Sequence, residues 1–260
     1  MNANSTFLIG KDHETCEDYA LSGYIQPLDL AYAIVCDGCS ASPDVDIGAR
    51  ILALSARETL LDGTQITDSI SFGKATIRKA AKLFQAFPSI HSQALDATLL
   101  IAWVQNKMLT LYMYGDGVFI HKTKNGVATV HISFQGGAPD YLSYWFDERR
   151  LGAYYDLPEN KKIISVNVND TEYVGSPLVP YTFNIPVDDG DVISVISDGI
   201  NSFRKADYTQ IPWKDLIDEF TGYKNFEGEF VLRRISAFKR KCLKEGITHS
   251  DDISISTILV

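Results

Sequence analysis

From Leu30 to Cys36 the chain reads Leu-Ala-Tyr-Ala-Ile-Val-Cys, an uncharged, partly β-branched run that stops at Asp37-Gly38. Such a run predicts a strand. Two more precede it: a short one over Ser5–Gly10 and an alternating one over Asp18–Ile25, with Tyr24–Asp29, containing Pro27, as the turn into the third. The period then becomes helical. Asp44 or Asp46 can cap a helix with Ile47, Ile51 and Leu54 recurring on one face and Leu61 a turn further on. After Asp62-Gly63 a second helix is expected to start near Thr67-Asp68 and to end at Pro88. Ile70, Gly73, Ile77, Ala81 and Phe84 share its inner face, and Lys74, Arg78, Lys79 and Lys82 form a solvated outer one.

Strand periodicity returns in two hairpins. Ala97–Val104 and Met108–Tyr114 flank Gln105-Asn-Lys, and Val118–Thr123 and Val127–Phe134 flank Lys124-Asn125-Gly126, whose Asn-Gly favours a tight turn. Gln135–Asn160 loses periodicity and gathers Tyr141, Tyr144, Trp145, Phe146, Tyr154 and Tyr155, which predicts a lid or flap with some structure of its own. Strands follow over Lys162–Val168, Tyr181–Ile185 and Asp191–Ser197. A short helix over Trp213–Thr221 and a long one over Glu227–Glu245 come next, the latter burying Val231, Ile235, Phe238 and Cys242 and closing at Gly246; a final strand covers Ile253–Val260. Antiparallel hairpins with helices segregated in pairs predict an α+β sandwich, two sheets face to face with helices outside, where a parallel βαβ fold would need helices between most strands. No repeat, low-complexity tract or linker divides residues 1–260, so one domain is expected, with a flap-like insertion at about 135–160.

The net charge of −9 argues against nucleic acid or an anionic membrane as main partner. The start Met1-Asn-Ala-Asn-Ser lacks a signal-peptide pattern and no apolar run is long enough to span a bilayer, so a cytoplasmic location with reduced thiols is expected. Cys36 and Cys39 have the spacing of a redox or zinc pair, but no second pair completes a zinc site and the motif follows a strand instead of opening a thioredoxin-like helix; they read as one buried thiol and one turn thiol.

Asp-Gly alone is a common turn signal. Here, however, acids recur beside strand-like runs: Glu17-Asp18, Asp37-Gly38, Tyr114-Gly-Asp116-Gly, Ser197-Asp198-Gly199 and Ser250-Asp251-Asp252. Mg²⁺ and Mn²⁺ prefer carboxylate, carbonyl and water oxygens. A pair of such ions about 3.5–4 Å apart orients and ionises a water for in-line attack on phosphorus. Glu17, Asp18, Asp37, Asp198 and Asp251, with the Gly38 carbonyl, supply a donor set for two ions from separate strand ends.

These motifs, in this order over Gly10–Val260, resemble the metal-dependent protein phosphatase 2C family, particularly its bacterial branch. Gly10-Lys-Asp-His13-Glu-Thr-Cys-Glu17-Asp18 is similar to its opening acidic motif, and Val35-Cys-Asp37-Gly38 with Gly48-Ala-Arg50 to its Asp-Gly motif and following helix. Asp96-Ala-Thr98 resembles its threonine-bearing strand, Ser197-Asp198-Gly199 its Ser-Asp-Gly motif, and Asp251-Asp252-Ile-Ser254 its terminal motif. The resemblance implies an αββα sandwich hydrolysing phosphoserine and phosphothreonine esters without a covalent intermediate, in a pathway shared with a cognate kinase. It implies that Asp37 bridges two Mn²⁺ or Mg²⁺ ions, that Glu17 and the Gly38 carbonyl hold one, that Asp198 and Asp251 hold the other, and that Asp18 binds a coordinated water or an ion edge. The water between the ions is then the nucleophile.

Three positions depart from the pattern. His13 replaces an arginine that grips the substrate phosphate, and reads equally as a phosphate donor or a structural hydrogen-bonder. Cys39 replaces a histidine that donates a proton in some relatives. Asp116 would help hold the third ion seen in some relatives, but Ser202 stands where a further carboxylate belongs. The first two keep open a pseudophosphatase that binds a phosphoprotein or kinase without turnover, and a hydrolase of small phosphoesters is a third reading. His91, His121, His131 and His249 share no ligand spacing; His249 is placed to support Asp251 from behind.

Overall fold

The computed structural model describes all residues except 63–67, 88, 138 and 176–179; the expected turn at Gly63, helix start at Thr67 and helix stop at Pro88 lie outside the described residues. The first strands are β1 (Asn2–Leu8), β2 (Asp18–Ile25) and β3 (Leu30–Asp37), with a 3₁₀ turn at Gln26–Leu28 joining the last two. Helices α1 (Val45–Leu61) and α2 (Ser69–Phe84) follow, then the two predicted hairpins, β4 (Leu99–Gln105) with β5 (Met108–Tyr114) and β6 (Gly117–Thr123) with β7 (Gly126–Phe134). The aromatic stretch folds into a 3₁₀ turn at Leu142–Phe146, helix α3 (Glu148–Tyr155) and a 3₁₀ turn at Glu159–Lys161. Strands β8 (Ile164–Val168), β9 (Thr171–Gly175), β10 (Tyr181–Pro186), β11 (Val192–Ile196) and β12 (Phe203–Arg204) come next. Helices α4 (Ile217–Thr221) and α5 (Phe230–Glu245) and strands β13 (Thr248–His249) and β14 (Ile253–Leu259) complete the chain.

Two antiparallel sheets result, one ordered β1-β14-β11-β6-β7-β8-β9 and the other β10-β5-β4-β3-β2. Strand β3 shows why its sequence carries no charge before Asp37. Leu30, Tyr32, Ile34 and Cys36 face the layer of α1 and α2, while Ala31, Ala33 and Val35 face the opposite sheet among Phe119, Val130, Ile193 and Ile258. Both faces of the pleat are therefore buried. On the far side α4 and α5 cover the larger sheet, with Phe220, Phe230, Ile235 and Phe238 packed on Val118, Ile120, Ile196 and Ile255. The molecule is an αββα sandwich, as the pattern predicts.

The helix faces differ from expectation in the first pair. In α1 the buried set includes Gly48, Ala49, Leu52, Ala53 and Ala56, whereas Ile47 is 37% exposed. Small residues, not the largest aliphatic ones, mark the contact face because the helix approaches its neighbours closely: a Cβ on Gly48 would stand 1.6 Å from the Ala94 carbonyl oxygen. Ile70, expected inside, is 39% exposed, and α2 instead buries Phe72, Thr76 and Ala80 beside Gly73 and Ile77. The long helix α5 buries the predicted Val231, Ile235, Phe238 and Cys242, starts three residues late at Phe230, and ends at left-handed Gly246. The segment expected as a helix from Trp213 opens as a 3₁₀ turn over Trp213–Leu216 before α4.

Candidate metal centre

Antiparallel pairing sets the start of one strand beside the end of the next. Asp18 opens β2 and Asp37 closes β3, and the two are direct register partners. Across the sandwich, Asp198 follows the end of β11, Asp251 and Asp252 precede β14, and Asp116 precedes β6; all three strands are neighbours in the larger sheet. The acids therefore gather at one end of the two sheets.

The surrounding backbone is drawn in tightly. Gly199 lies so close that a Cβ there would stand 1.8 Å from the Asp252 carbonyl oxygen, and one on Gly10 would stand 2.4 Å from the Asp251 backbone. Asp252 is 1% exposed and accepts the backbone N–H of Gly10 at 2.6 Å and of Glu17 at 2.5 Å, so it ties the opening loop to the last strand. The Asp37 loop is held by Gly38 N–H to the Glu17 carbonyl (3.2 Å) and by Thr98 N–H to the Asp37 carbonyl (2.8 Å). The Asp37 N–H in turn donates to the Thr98 hydroxyl at 3.2 Å.

The electrostatics are those of crowded, desolvated acids. Burial raises the Asp18 carboxyl to about 7, with hydrogen bonding toward Ser197, Ser254 and Asp37 opposing the rise. Even so, both its oxygens are buried without a partner of normal hydrogen-bond geometry. Asp37 is pushed well above the carboxylate range by burial, by the charges of Asp18 and Asp198, by a hydrogen bond to Asp198 and by Asp251. Asp116 rises to about 8 through burial and the charges of Asp198 and Asp251, and Asp251 rises through burial and Asp198. Mutual repulsion between buried carboxylates is what a bound divalent cation relieves, and the unpartnered oxygens of Asp18 and the all-oxygen donor set fit a hard cation.

His13 stands at the rim with both ring nitrogens turned to acids. Nδ1 is 2.9 Å from Asp252 and 3.9 Å from Glu17, and Nε2 is 3.5 Å from Asp251. Burial pulls its pKa down, but the hydrogen bond to Asp252 and the charges of Asp252, Asp251 and Glu17 outweigh that, leaving it raised. Glu17 thus lies on the His13–Asp252 side of the cluster, and His13, Glu17 and Asp252 form a group with atoms within 4.8 Å of one another. Asp252 has no role expected from the sequence; its only mark there is the doublet Asp251-Asp252, of which the Asp251 side chain is 43% exposed and that of Asp252 is buried. Thr98, Ser197 and Ser254 carried no signal beyond their places at strand ends.

The aromatic segment of the 3₁₀ turn at Leu142–Phe146 and α3 meets this end of the molecule. Tyr141 hydrogen-bonds toward Cys39 and feels the charges of Asp116 and Asp37, while burial raises its hydroxyl far above the ordinary value. Arg150 is held inward on Asp96 (2.6 Å) and over the Tyr144 ring, whereas the Arg149 side chain is 93% exposed. Of the remaining histidines, His249 adjoins the cluster as expected, its Nδ1 2.9 Å from the Asp251 carbonyl, whereas His121 pairs with Asp191 (2.9 Å), His131 packs on Trp213 and His91 accepts from Gln93 N–H.

Solved structures share the fold over nearly the whole chain. The S. agalactiae serine/threonine phosphatase is 14% identical with a TM-score of 0.58, covering 99% of this chain and 98% of that one. The serine/threonine phosphatase Stp1 of Staphylococcus aureus is 11% identical with a TM-score of 0.58, covering 100% and 95%. The catalytic domain of the serine/threonine protein phosphatase PstP in complex with two manganese ions is 15% identical with a TM-score of 0.53, covering 98% and 96%. No curated protein sequence matches the chain. The sequence pattern of the family described as Protein phosphatase 2C matches residues 10–235, and the chain belongs to that family.

Proposed function

We propose that residues 1–260 act as one catalytic unit, a phosphoprotein phosphatase that hydrolyses phosphoserine and phosphothreonine esters with two Mn²⁺ or Mg²⁺ ions. The observation that carries this reading is the convergence of Asp18, Asp37, Asp198 and Asp251 at one end of the sheets, with Asp18 buried and Asp37 half-buried. Asp37, in contact with Asp18 and Asp198, would bridge the ions; Glu17 and the Gly38 carbonyl would hold one, and Asp198 and Asp251 the other. Asp18 adjoins the bridge, and Asp116 is the acid left for any third ion. When bound, the ions would polarise the phosphoryl group and lower the pKa of an attacking water. Asp252 fixes the loop that carries Glu17 through its two backbone hydrogen bonds. His13 would grip the substrate phosphate by giving up one of its carboxylate partners. The substrate class rests on the serine/threonine phosphatases among the structural relatives. A phosphorylated protein, an opposing kinase and a cytoplasmic location, with neither nucleic acid nor membrane as partner, complete the proposal; no helix among the described residues is long and apolar enough to cross a membrane.

One observation favours a second reading, a pseudophosphatase: His13, with its pKa raised, already neutralises part of the acidic cluster. Hydrolysis of an aryl phosphate and a phosphothreonine peptide, with Mn²⁺ and with chelator, separates the two. Asp37→Asn and Asp198→Asn are each expected to lower kcat/KM on the order of a hundredfold or more. Full activity in chelator or in Asp37→Asn rejects the enzyme reading; Mn²⁺ binding without turnover selects the pseudophosphatase, and turnover of small esters alone points to a small-molecule hydrolase. His13→Ala is expected mainly to raise KM, because phosphate grip is ground-state binding.

A further inference from the structure

Beside the acidic centre the sandwich opens between β5 and β10 on one side and β7, β8 and β9 on the other, leaving a cavity of about 370 Å³. That is near the lower end of the range for small-molecule pockets, about 300–1,000 Å³. Its inner walls are apolar, formed by Met113, Ile132, Phe134, Ile164 and Val166. Tyr114, Trp145, Tyr173 and Tyr181 add aromatic surface, with Tyr173 59% exposed at the rim. Among the described lining residues Asp140 is the one charged side chain. Its Oδ1 is buried without a hydrogen-bond partner, although the Trp145 indole hydrogen-bonds to the carboxyl group. A buried anion left short of partners is costly. Aromatic faces around a carboxylate suit a cation carried on an apolar stem.

The cavity adjoins the acidic cluster along the chain at two points. Gly115 lines it and Asp116 belongs to the cluster; Asp140 lines it and Tyr141 meets Cys39 beside Asp37. Consecutive Cα atoms are about 3.8 Å apart, and an extended peptide advances about 3.3–3.6 Å per residue. A peptide whose phosphoresidue lay at the acids would then carry a side chain one to a few positions away within reach of the cavity.

We infer that this cavity is a substrate subsite that takes the side chain of a lysine or arginine close to the phosphoresidue, its stem against the apolar walls and its charge on Asp140. The inference rests on the phosphatase reading for the phosphoresidue but not for the cation. Matched phosphothreonine peptides, alike except for arginine or alanine at the flanking positions, test it through the ratio of their kcat/KM values within each protein. The native chain is expected to favour the arginine peptide about tenfold, as a charge-assisted hydrogen bond supplies, and Asp140→Asn to bring the ratio close to one. Equal rates in the native chain, or a preference that survives in Asp140→Asn, overturn the subsite. Cation entry is also read without turnover, by following the Trp145 indole N–H resonance during titration with butylguanidinium. A saturable shift in the native chain that is lost in Asp140→Asn supports the subsite even where neither peptide is hydrolysed, which is the outcome that rejects the phosphatase reading alone. A resonance that does not move in the native chain rejects the subsite whatever the hydrolysis shows.

Discussion

Asp140 is a carboxyl group kept where water reaches it poorly, and burial moves it from 3.8 to about 6, with the Trp145 hydrogen bond opposing the rise. A folded-state value above the unfolded one means that the folded chain binds the extra proton between these two pH values. Stability therefore falls as pH climbs from about 4 to about 6, and the whole penalty is present above 6. The displacement corresponds to about 3 kcal/mol, and partial solvent screening lowers the expectation to about 2 kcal/mol. Asp140→Asn should accordingly be more stable than the native chain at pH 7.5 by about 2 kcal/mol, with the difference fading toward pH 4. Urea unfolding in chelator at the two pH values measures it; a pH-independent difference contradicts the linkage. At this scale the sequence was legible wherever an acid ended a strand. Asp37, Asp116, Asp198 and Asp251 announced themselves next to glycine or beside a β-branched run. Asp140 did not, and Asp252, though part of the Ser250-Asp251-Asp252 motif, gave no sign of its inward role, because the significance of each comes from what surrounds it: a cavity wall for one, two backbone N–H groups and an imidazole for the other.

Among the elements, α3 and the 3₁₀ turn before it show how one buried acid holds an aperiodic stretch of sequence in place. Asp96 accepts from Ser42 (3.0 Å), Ser143 (2.6 Å) and Arg150 (2.6 Å), while its carbonyl receives the Cys39 N–H at 2.8 Å. It therefore links α3 and the turn before it to the loop that follows Asp37. Arg150→Ala would leave that carboxylate short of its cation and is expected to cost about 2–3 kcal/mol. Lys79→Ala, which breaks a half-exposed pair with Asp62, is expected to cost under about 1 kcal/mol. Denaturant midpoints compare the two, and hydrogen exchange locates the first loss in residues 139–161; equal, small effects would show that the clasp contributes little. Strands β2 to β8 were legible because alternation and uncharged runs survive in the sequence. Strand β9 was not: its five residues are all exposed, so it has no buried face to leave a pattern, and its mark was the Asn169-Asp170 turn with two positive φ angles. The contact face of α1 was misread because alanine and glycine, which permit close approach, carry less hydrophobic weight than the isoleucines beside them.

Over the whole molecule, the acids sit where two sheets end together, which the order of elements predicts only as a fold. The register Asp18↔Asp37 and the pairing of β11 with β14 and β6 bring the donors within reach, and no spacing along the chain encodes that meeting. The cost is carried by the protein without metal, since desolvation and repulsion raise Asp18, Asp37 and Asp116 together. A cation that binds only the folded chain recovers stability as its concentration passes Kd, by about 2.7 kcal/mol at a hundredfold excess over Kd. Asp37→Asn removes a repelling charge from the metal-free cluster and a bridging donor from the loaded one, so its effects in the two states have opposite sign. In chelator the variant should melt above the native chain; in saturating Mn²⁺ the native chain should gain several degrees, the variant little or none, and the order should reverse. Thermal melts of both proteins in both conditions decide it. A native chain whose Tm ignores Mn²⁺, or a variant stabilised by Mn²⁺ as fully as the native chain, would mean that Asp37 does not hold a metal ion at all, because linkage permits no gain in stability without preferential binding to the folded state.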